Sequence, residues 1–441
     1  MVAVATATAA AGGVVPVAAE PLTDFDDVVE SIDRRVLRTT LSSGVRVVTD
    51  PTPEAASVSL SIWIGAGSRD ESPSAAGAFH FLEHLLFKGT RHRGAHDINV
   101  AVDAVGGDLN AYTSKESTAF FVRVPATDRA AAADLLCELV GEPRLDPDDV
   151  DAERDVILEE LAMVHDTPDD LAASLLGESL FPGHGLGWEV LGRPDSLEAL
   201  DAASLGAIHA TRYGGPNLVV AGAGAVDHDE LVALVGDRLS AGAVPARSAP
   251  GDELVTRNIV ERDSEQAHVA IGWRAPDHED PDRWPLAVLL HTLGDGPSSR
   301  LYRKVRDERG LAYSIFTSYA GYSDSGAVAL SFDTSESRVP DVLEIVEAEL
   351  AAVIASGITA DELRIAQGSL RGSTLLGLED AGSRMARLGA SEIARGGAIP
   401  VAQVLAEVAA VDLDAVRRVA AQVLAGPRAT VAVGPVDGAS L

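Results

Sequence analysis

Three polar residues interrupt the apolar run AAGAFHFLEHLLFKGT: His80, Glu83 and His84. Their i, i+3, i+4 spacing puts all three side chains on one face of an α-helix. The flanking Phe79, Phe81, Leu82, Leu85, Leu86 and Phe87 indicate that this helix is mostly buried. A carboxylate and two imidazoles in such surroundings are costly unless something takes up the charge, and a divalent metal would do so. Zinc accepts imidazole and carboxylate ligands in tetrahedral geometry, and catalytic sites keep one position for water. His80 and His84, one turn apart, can reach the same ion, while Glu83 can stand beside the bound water as general base. The competing reading is a pair of satisfied core histidines with Glu83 paired to an arginine.

A third ligand must come from elsewhere. The segment DAERDVILEEL offers Glu153 and Glu160, seven residues apart and so on one helical face, with Val156 and Ile157 between them. Glu159 is rotated by about 100° from Glu160 and is expected to face solvent. Spacing alone leaves Glu153 and Glu160 both open. Eight other histidines (His92, His96, His165, His184, His209, His228, His268 and His278) lack paired spacing, and surface or structural roles are expected for them; His291 lies on a second-half helix that carries no His-x-x-Glu-His. Cys137, in AAAADLLCELV, reads as a small buried hydrophobe.

The elements that must position these residues repeat along the chain. Alternation in SVSLSIWIG (57–65) predicts a strand, followed by the HFLEH helix, a hairpin over 107–124 and a helix at DRAAAADLLCELV. The next helix starts at Asp146 as N-cap with Pro147 in its first turn. The second half repeats the order: a strand at QAHVAIGWR, a helix at DRWPLAVLLHTLG, paired strands at LAYSIFTSY and GAVALSFDT, and a long helix at RVPDVLEIVEAELAAVIA. ITADELRIAQGSL then echoes LDPDDVDAERDVI at an offset of 213 residues. The fold class expected is α+β: two duplicated domains, each a mostly antiparallel sheet with helices packed on one face. The expected boundaries are a disordered leader over 1–35, a metal-binding domain over 36–238, an Ala/Gly/Pro/Ser-rich linker over 239–252 and a homologous domain over 253–441. The chemistry is not duplicated: at the same offset Ala366 faces Glu153 and Ser373 faces Glu160, so the second domain is expected to be metal-free.

Composition excludes several classes. The chain of 441 residues is 46% hydrophobic, enough for more than one core. A net charge of −32 with three lysines repels nucleic acid and anionic membranes. No apolar run reaches membrane-spanning length, and the start lacks the basic stretch of a secretory signal. A single cysteine fits a reducing, cytoplasmic setting.

FHFLEHLLFKGTRHR, LNAYTSKESTAFF and ERDVILEEL together resemble the pitrilysin/insulinase family of zinc metallopeptidases, whose signature is the inverted His-x-x-Glu-His. The likeness is greatest to bacterial members similar to the mitochondrial processing peptidase β-subunit, and it runs from about Val36 to the C-terminus. The resemblance implies that Glu160 is the third zinc ligand and that Glu153 supports the ligands from behind. It implies that Asn110 and Ala111 bind substrate backbone as an added strand. In SSRLYRKVRDERGLAYSI, it implies that Arg306 and Tyr313 reach substrate and transition state.

The implied function is a zinc metalloendopeptidase, one Zn2+ per chain, cutting peptides or unfolded segments in a clamshell chamber, with a Glu83-activated zinc water as nucleophile. The chain is half the length of single-chain family members, so a homodimer is expected, with Arg306 and Tyr313 serving the partner's site; a heterodimer with a related subunit is the variant. The alternatives are a non-catalytic core or scaffold subunit, a catalytic subunit active only with an unlike partner, and a metal-storage module.

Overall fold

The computed structural model describes residues 25–236, 238–239 and 242–436. Its first sheet contains β1 (Leu37–Thr40), β2 (Arg46–Pro51), β3 (Ser57–Ile64), β4 (Asp108–Thr113), β5 (Thr118–Pro125) and β6 (Leu218–Gly224), in the order β1-β2-β6-β3-β5-β4. The second contains β7 (Arg257–Glu261), β8 (Ala267–Ala275), β9 (Ser314–Gly321), β10 (Gly326–Thr334) and β11 (Arg428–Gly434), in the order β7-β11-β8-β10-β9. With β1 set aside, the two orders match strand for strand. The match includes the parallel pairs β2–β6 and β7–β11. The repeat legible in the sequence is thus a repeat of topology.

Each sheet carries helices of its own half on one face. Leu60, Ile62, Phe120 and Val122 pack with Leu82, Leu85 and Leu136 in the first core. Val269, Ile271, Leu330 and Phe332 pack with Leu289, Val346 and Val419 in the second. Because side chains alternate along a strand, the intervening residues point to the opposite face. There the halves exchange helices. Trp63, Ala119, Val219 and Ala221 of the first sheet meet Ala381, Met385 and Leu388 of helix Ala381–Arg395. Leu171, Leu176 and Leu180 of helix Pro168–Leu180 in turn cover Ala270, Val431 and Val433 of the second sheet. Glycines permit both approaches. A Cβ at Gly389 would fall 2.0 Å from Trp63 Nε1, and one at Gly272 would fall 2.9 Å from Leu176 and Leu180.

One expectation about connecting segments needs correction. The last part of the leader is ordered: Phe25–Arg35 is a helix, Val29 packs with Leu378 and Val401, and Asp33 accepts hydrogen bonds from the backbone of Val401 and Ala402. The segment FDDVVESIDRR is amphipathic, unlike the Ala/Gly-rich stretch before it, and its apolar stripe finds a helix to cover. Residues 1–24 lie outside the described residues. In the expected linker segment, Arg247 donates to both carboxylate oxygens of Asp70, at 2.9 and 2.8 Å, and to the carbonyl of Glu116.

Candidate metal centre

The HFLEH segment lies in helix Ala78–Leu86, with Phe79, Phe81, Leu82, Leu85 and Leu86 fully buried. Gly77 at its N-terminus has φ +91°, and no side chain from the usual capping position satisfies the first amides. Glu71 does so from outside the helix, accepting from Gly77 N and Phe79 N at 2.8 Å each. Burial pushes the Glu71 carboxyl up to about 8 against the opposing pull of those amides.

The facing helix, Pro147–Asp166, begins as expected: Asp146 accepts from Asp148 N, and Pro147 occupies the first turn. Glu153 and Ile157 are buried on its inner face and Glu159 points to solvent. Val156 is 41% exposed, so the apolar stripe between the two glutamates is narrower than expected; at 3.6 residues per turn, Ile157 takes the inward position.

The two helices bring His80, His84 and Glu160 together, one ligand atom from each lying within 4.8 Å of the others. Glu160 Oε2 is 3.5 Å from His84 Nε2 and 3.9 Å from His80 Nε2. Tetrahedral zinc with bonds near 2.1 Å sets its ligands about 3.4 Å apart, so the set fits such an ion with small adjustment. His84 is oriented from behind: Glu153 Oε1 lies 2.8 Å from Nδ1, and the other carboxylate oxygen pairs with Lys88. His80 Nδ1 is buried without a hydrogen-bond partner among the described residues, leaving that ring to be oriented by packing. Burial and the neighbouring His84 push His80 down to about 4, so it is a neutral donor at pH 7.

Glu83 shares the face, as its spacing predicts. Burial raises its pKa, while its Oε2 accepts a 2.5 Å hydrogen bond from the Thr113 hydroxyl. Thr113 ends β4, the outer strand of its sheet, so the free edge of β4 runs beside the helix. Asn110 and Ala111 lie on that edge strand, where Asn110 Oδ1 accepts from Ala111 N at 2.8 Å.

Arg306 and Tyr313 form a separate cluster. Arg306 lies in the π-helical turn Tyr302–Asp307, its guanidinium 4.8 Å from the Tyr302 ring centre and 4.3 Å from that of Tyr313. Its Nη1 donates to the Tyr313 carbonyl at 3.1 Å, and Tyr313 is 77% exposed. Among the described residues no hydrogen bond, ion pair or ring contact joins this pair to His80, Glu83, His84 or Glu160.

The profile described as Insulinase (Peptidase family M16) matches residues 46–193, and that described as Peptidase M16 inactive domain matches residues 199–370. An uncharacterized zinc protease of Mycobacterium leprae is 43% identical over 91% of this chain and 92% of its own length. The chain belongs to the M16 (insulinase) peptidase family. This M16 chain is also 31% identical to an uncharacterized zinc protease of Bacillus subtilis, over 91% of this chain and 98% of the other. It is 30% identical to the mitochondrial-processing peptidase subunit beta of Blastocladiella emersonii, over 90% and 88%. A structure described as peptidase M16 inactive domain from Pseudomonas fluorescens superposes with a TM-score of 0.85 at 22% identity, covering 91% of this chain and 98% of that one. A protease from Helicobacter pylori gives 0.83 at 22% identity, covering 90% and 99%. Both have the same fold.

Sequence reasoning missed Glu71, Lys88 and Thr113. Glu71 left a faint signal, since a helix opening on Gly77 with no Ser, Thr, Asp or Asn beside it needs an acceptor from elsewhere. Two of the remaining histidines serve structure: His228 bridges the hydroxyls of Thr39 and Thr49, and His209 reaches the Val140 carbonyl. Cys137 is buried, and burial raises its thiol to about 11. No helix among the described residues is long and apolar enough to cross a membrane.

Proposed function

We propose that the chain is a zinc-dependent endopeptidase acting on peptides or unfolded segments, with His80, His84 and Glu160 holding one ion. The observation that carries this reading is the convergence of those three donors beside Glu83. The bound ion would act as a Lewis acid toward the scissile carbonyl and lower the pKa of an attacking water. Glu83 accepts the proton of that water as its oxygen bonds to the carbonyl carbon. The same carboxyl then delivers the proton to the amide nitrogen as the carbon–nitrogen bond breaks, which regenerates the carboxylate. Its raised pKa suits a group that must both take and return a proton.

Substrate lies along β4 as an added strand, hydrogen-bonded through main chain at Asn110 and Ala111 and so with little demand on sequence. Arg306 and Tyr313 complete the site from the second half of a partner copy in a homodimer enclosing a chamber. The exposure of Tyr313 and the lack of contact between this pair and its own chain's metal cluster support that arrangement. The test is zinc content together with hydrolysis of a quenched-fluorescence peptide, for the wild type and Glu83→Gln. About one zinc per chain in both, with turnover in the wild type alone, is expected. Zinc in both with turnover in neither would point to a scaffold subunit or an unlike partner.

A further inference from the structure

We propose that Thr113 is a positioning residue that ties the alignment of Glu83 to the strand on which substrate is laid. The inference rests on the reading of Glu83 as general base. Among the described residues, the Thr113 hydroxyl is the hydrogen-bond donor to the Glu83 carboxylate, at 2.5 Å. The torsion that turns a glutamate carboxylate is broad, so packing of the stem does not by itself fix the plane of the two oxygens. A donor on Oε2 does fix it, and leaves Oε1 to receive the proton of the attacking water.

The chain just beyond the donor is held at the hairpin end. Thr113 is the last residue of β4 and pairs with Thr118 across the hairpin. Ser114 N donates to Ser117 O at 2.8 Å and Ser114 Oγ to the same carbonyl at 2.9 Å. From outside, Ser68 N donates to Ser114 O at 3.1 Å and Arg69 N to Lys115 O at 2.9 Å. The hairpin end is thus pinned, whereas the free edge of β4 beyond Ala111 has no neighbouring strand. A peptide added there hydrogen-bonds the backbone that carries Thr113, so occupancy of the strand steadies the hydroxyl and, through it, the carboxylate. Substrate length along β4 then acts on the chemical step as well as on binding.

The experiment compares wild type, Thr113→Val, Thr113→Ser and Glu83→Gln, using quenched-fluorescence peptides of increasing length around one scissile bond. Valine keeps the shape and removes the donor; serine keeps the donor. Thr113→Val is expected to retain zinc and KM, to lose ~10- to 100-fold in kcat and to gain nothing in kcat from longer peptides. Thr113→Ser restores most of the kcat and its rise with length. Wild-type kcat in Thr113→Val, with Glu83→Gln inactive, overturns the proposal and leaves the base intact. Equal losses in the valine and serine variants overturn it too, since a retained hydroxyl donor then protects nothing. Turnover by Glu83→Gln removes the base reading itself.

Discussion

Arg69 and Asp324 lie 2.8 Å apart across the boundary between the two halves, with the arginine side chain 1% exposed. The same guanidinium holds Glu116 at 2.5 Å and the Ser248 carbonyl of the linker at 2.9 Å. Glu116 in turn accepts from Ser323 N and Oγ, so the turn after β4 is bound to the turn after β9. These turns occupy equivalent places in the duplicated topology, and each ends the outer strand of its sheet. One network therefore joins the β4–β5 turn, the β9–β10 turn and the linker.

Removing that guanidinium leaves Asp324 without its cation and Glu116 with Arg247 alone, at 3.5 Å. Arg69→Met is expected to cost ~1–3 kcal/mol, since hydrogen-bonded carboxylates lose a partner while Arg247 stays on Glu116. Thermal unfolding and urea midpoints check the figure. A variant as stable as the wild type would mean that water replaces the guanidinium and that the halves do not depend on the network.

The exchange of helices makes a second, sterically defined prediction. Gly389 lies where the Trp63 ring enters the helix Ala381–Arg395, with no room for a methyl group. Gly389→Ala should destabilise by ~1–3 kcal/mol through overpacking, despite the better helix propensity of alanine. Trp63 fluorescence, read against the other three tryptophans held constant, should shift as the ring is displaced. An unchanged spectrum and midpoint would mean that the helix slides without cost.

Behind the metal ligands, Glu153 fixes the ring of His84 through Nδ1. Glu153→Gln preserves shape but weakens the acceptor and frees Lys88 from its pairing. Zinc affinity, measured by competition with a chromophoric chelator, is expected to fall ~10- to 100-fold, the range for a carboxylate supporting a ligand histidine. Lys88→Met should move affinity much less. If the two variants weaken zinc equally, ring orientation is not what Glu153 supplies.

How much of this could be read from residues alone follows the range of each interaction. His80, Glu83 and His84 are legible because helical spacing is local, and Asp146 with Pro147 marks a helix start for the same reason. The offset of 213 exposes the duplication because both copies keep their period. The exchange of helices is not legible. Ala381–Arg395 and Pro168–Leu180 are amphipathic wherever they dock, and periodicity states that a face is buried without saying against what. Thr113, Lys88 and Glu71 act through contacts set by tertiary approach, and single polar residues in a hairpin, helix end or loop carry no periodic signal. Val156 is apolar yet 41% exposed, because residue type alone does not separate the inner face from its flank.

The Glu71 carboxyl gives a pH dependence whose sign is fixed. Its folded value, about 8, lies above the ordinary 4.5 because burial disfavours the charge. Between those values the folded chain keeps a proton that the unfolded chain releases, so this group's contribution to stability is full below 4.5 and lost as pH rises toward 8. Glu71→Gln removes the dependence. The stability of wild type minus that of the variant, measured on metal-free protein, should decline across this window and level off above it. A difference that rises with pH would mean that the amides of Gly77 and Phe79 hold the carboxylate charged.

The sharing of one site between two copies can be tested with two inactive proteins. If Arg306 and Tyr313 serve the partner's metal centre, a mixed dimer of Glu83→Gln and Tyr313→Phe contains one site with both groups intact and one lacking both. Random exchange gives half mixed dimers, each with one working site of two, so activity should recover to about one quarter of the wild type. Arrangement within one chain predicts none, because every site then lacks either the base or the phenol. The exposed Tyr313 and its stacking on Arg306 favour recovery. Exchange must be verified by mass, using chains of two lengths. Mixed dimers present without activity would place the pair in its own chain's site, and failure to form dimers of any kind would remove the shared chamber.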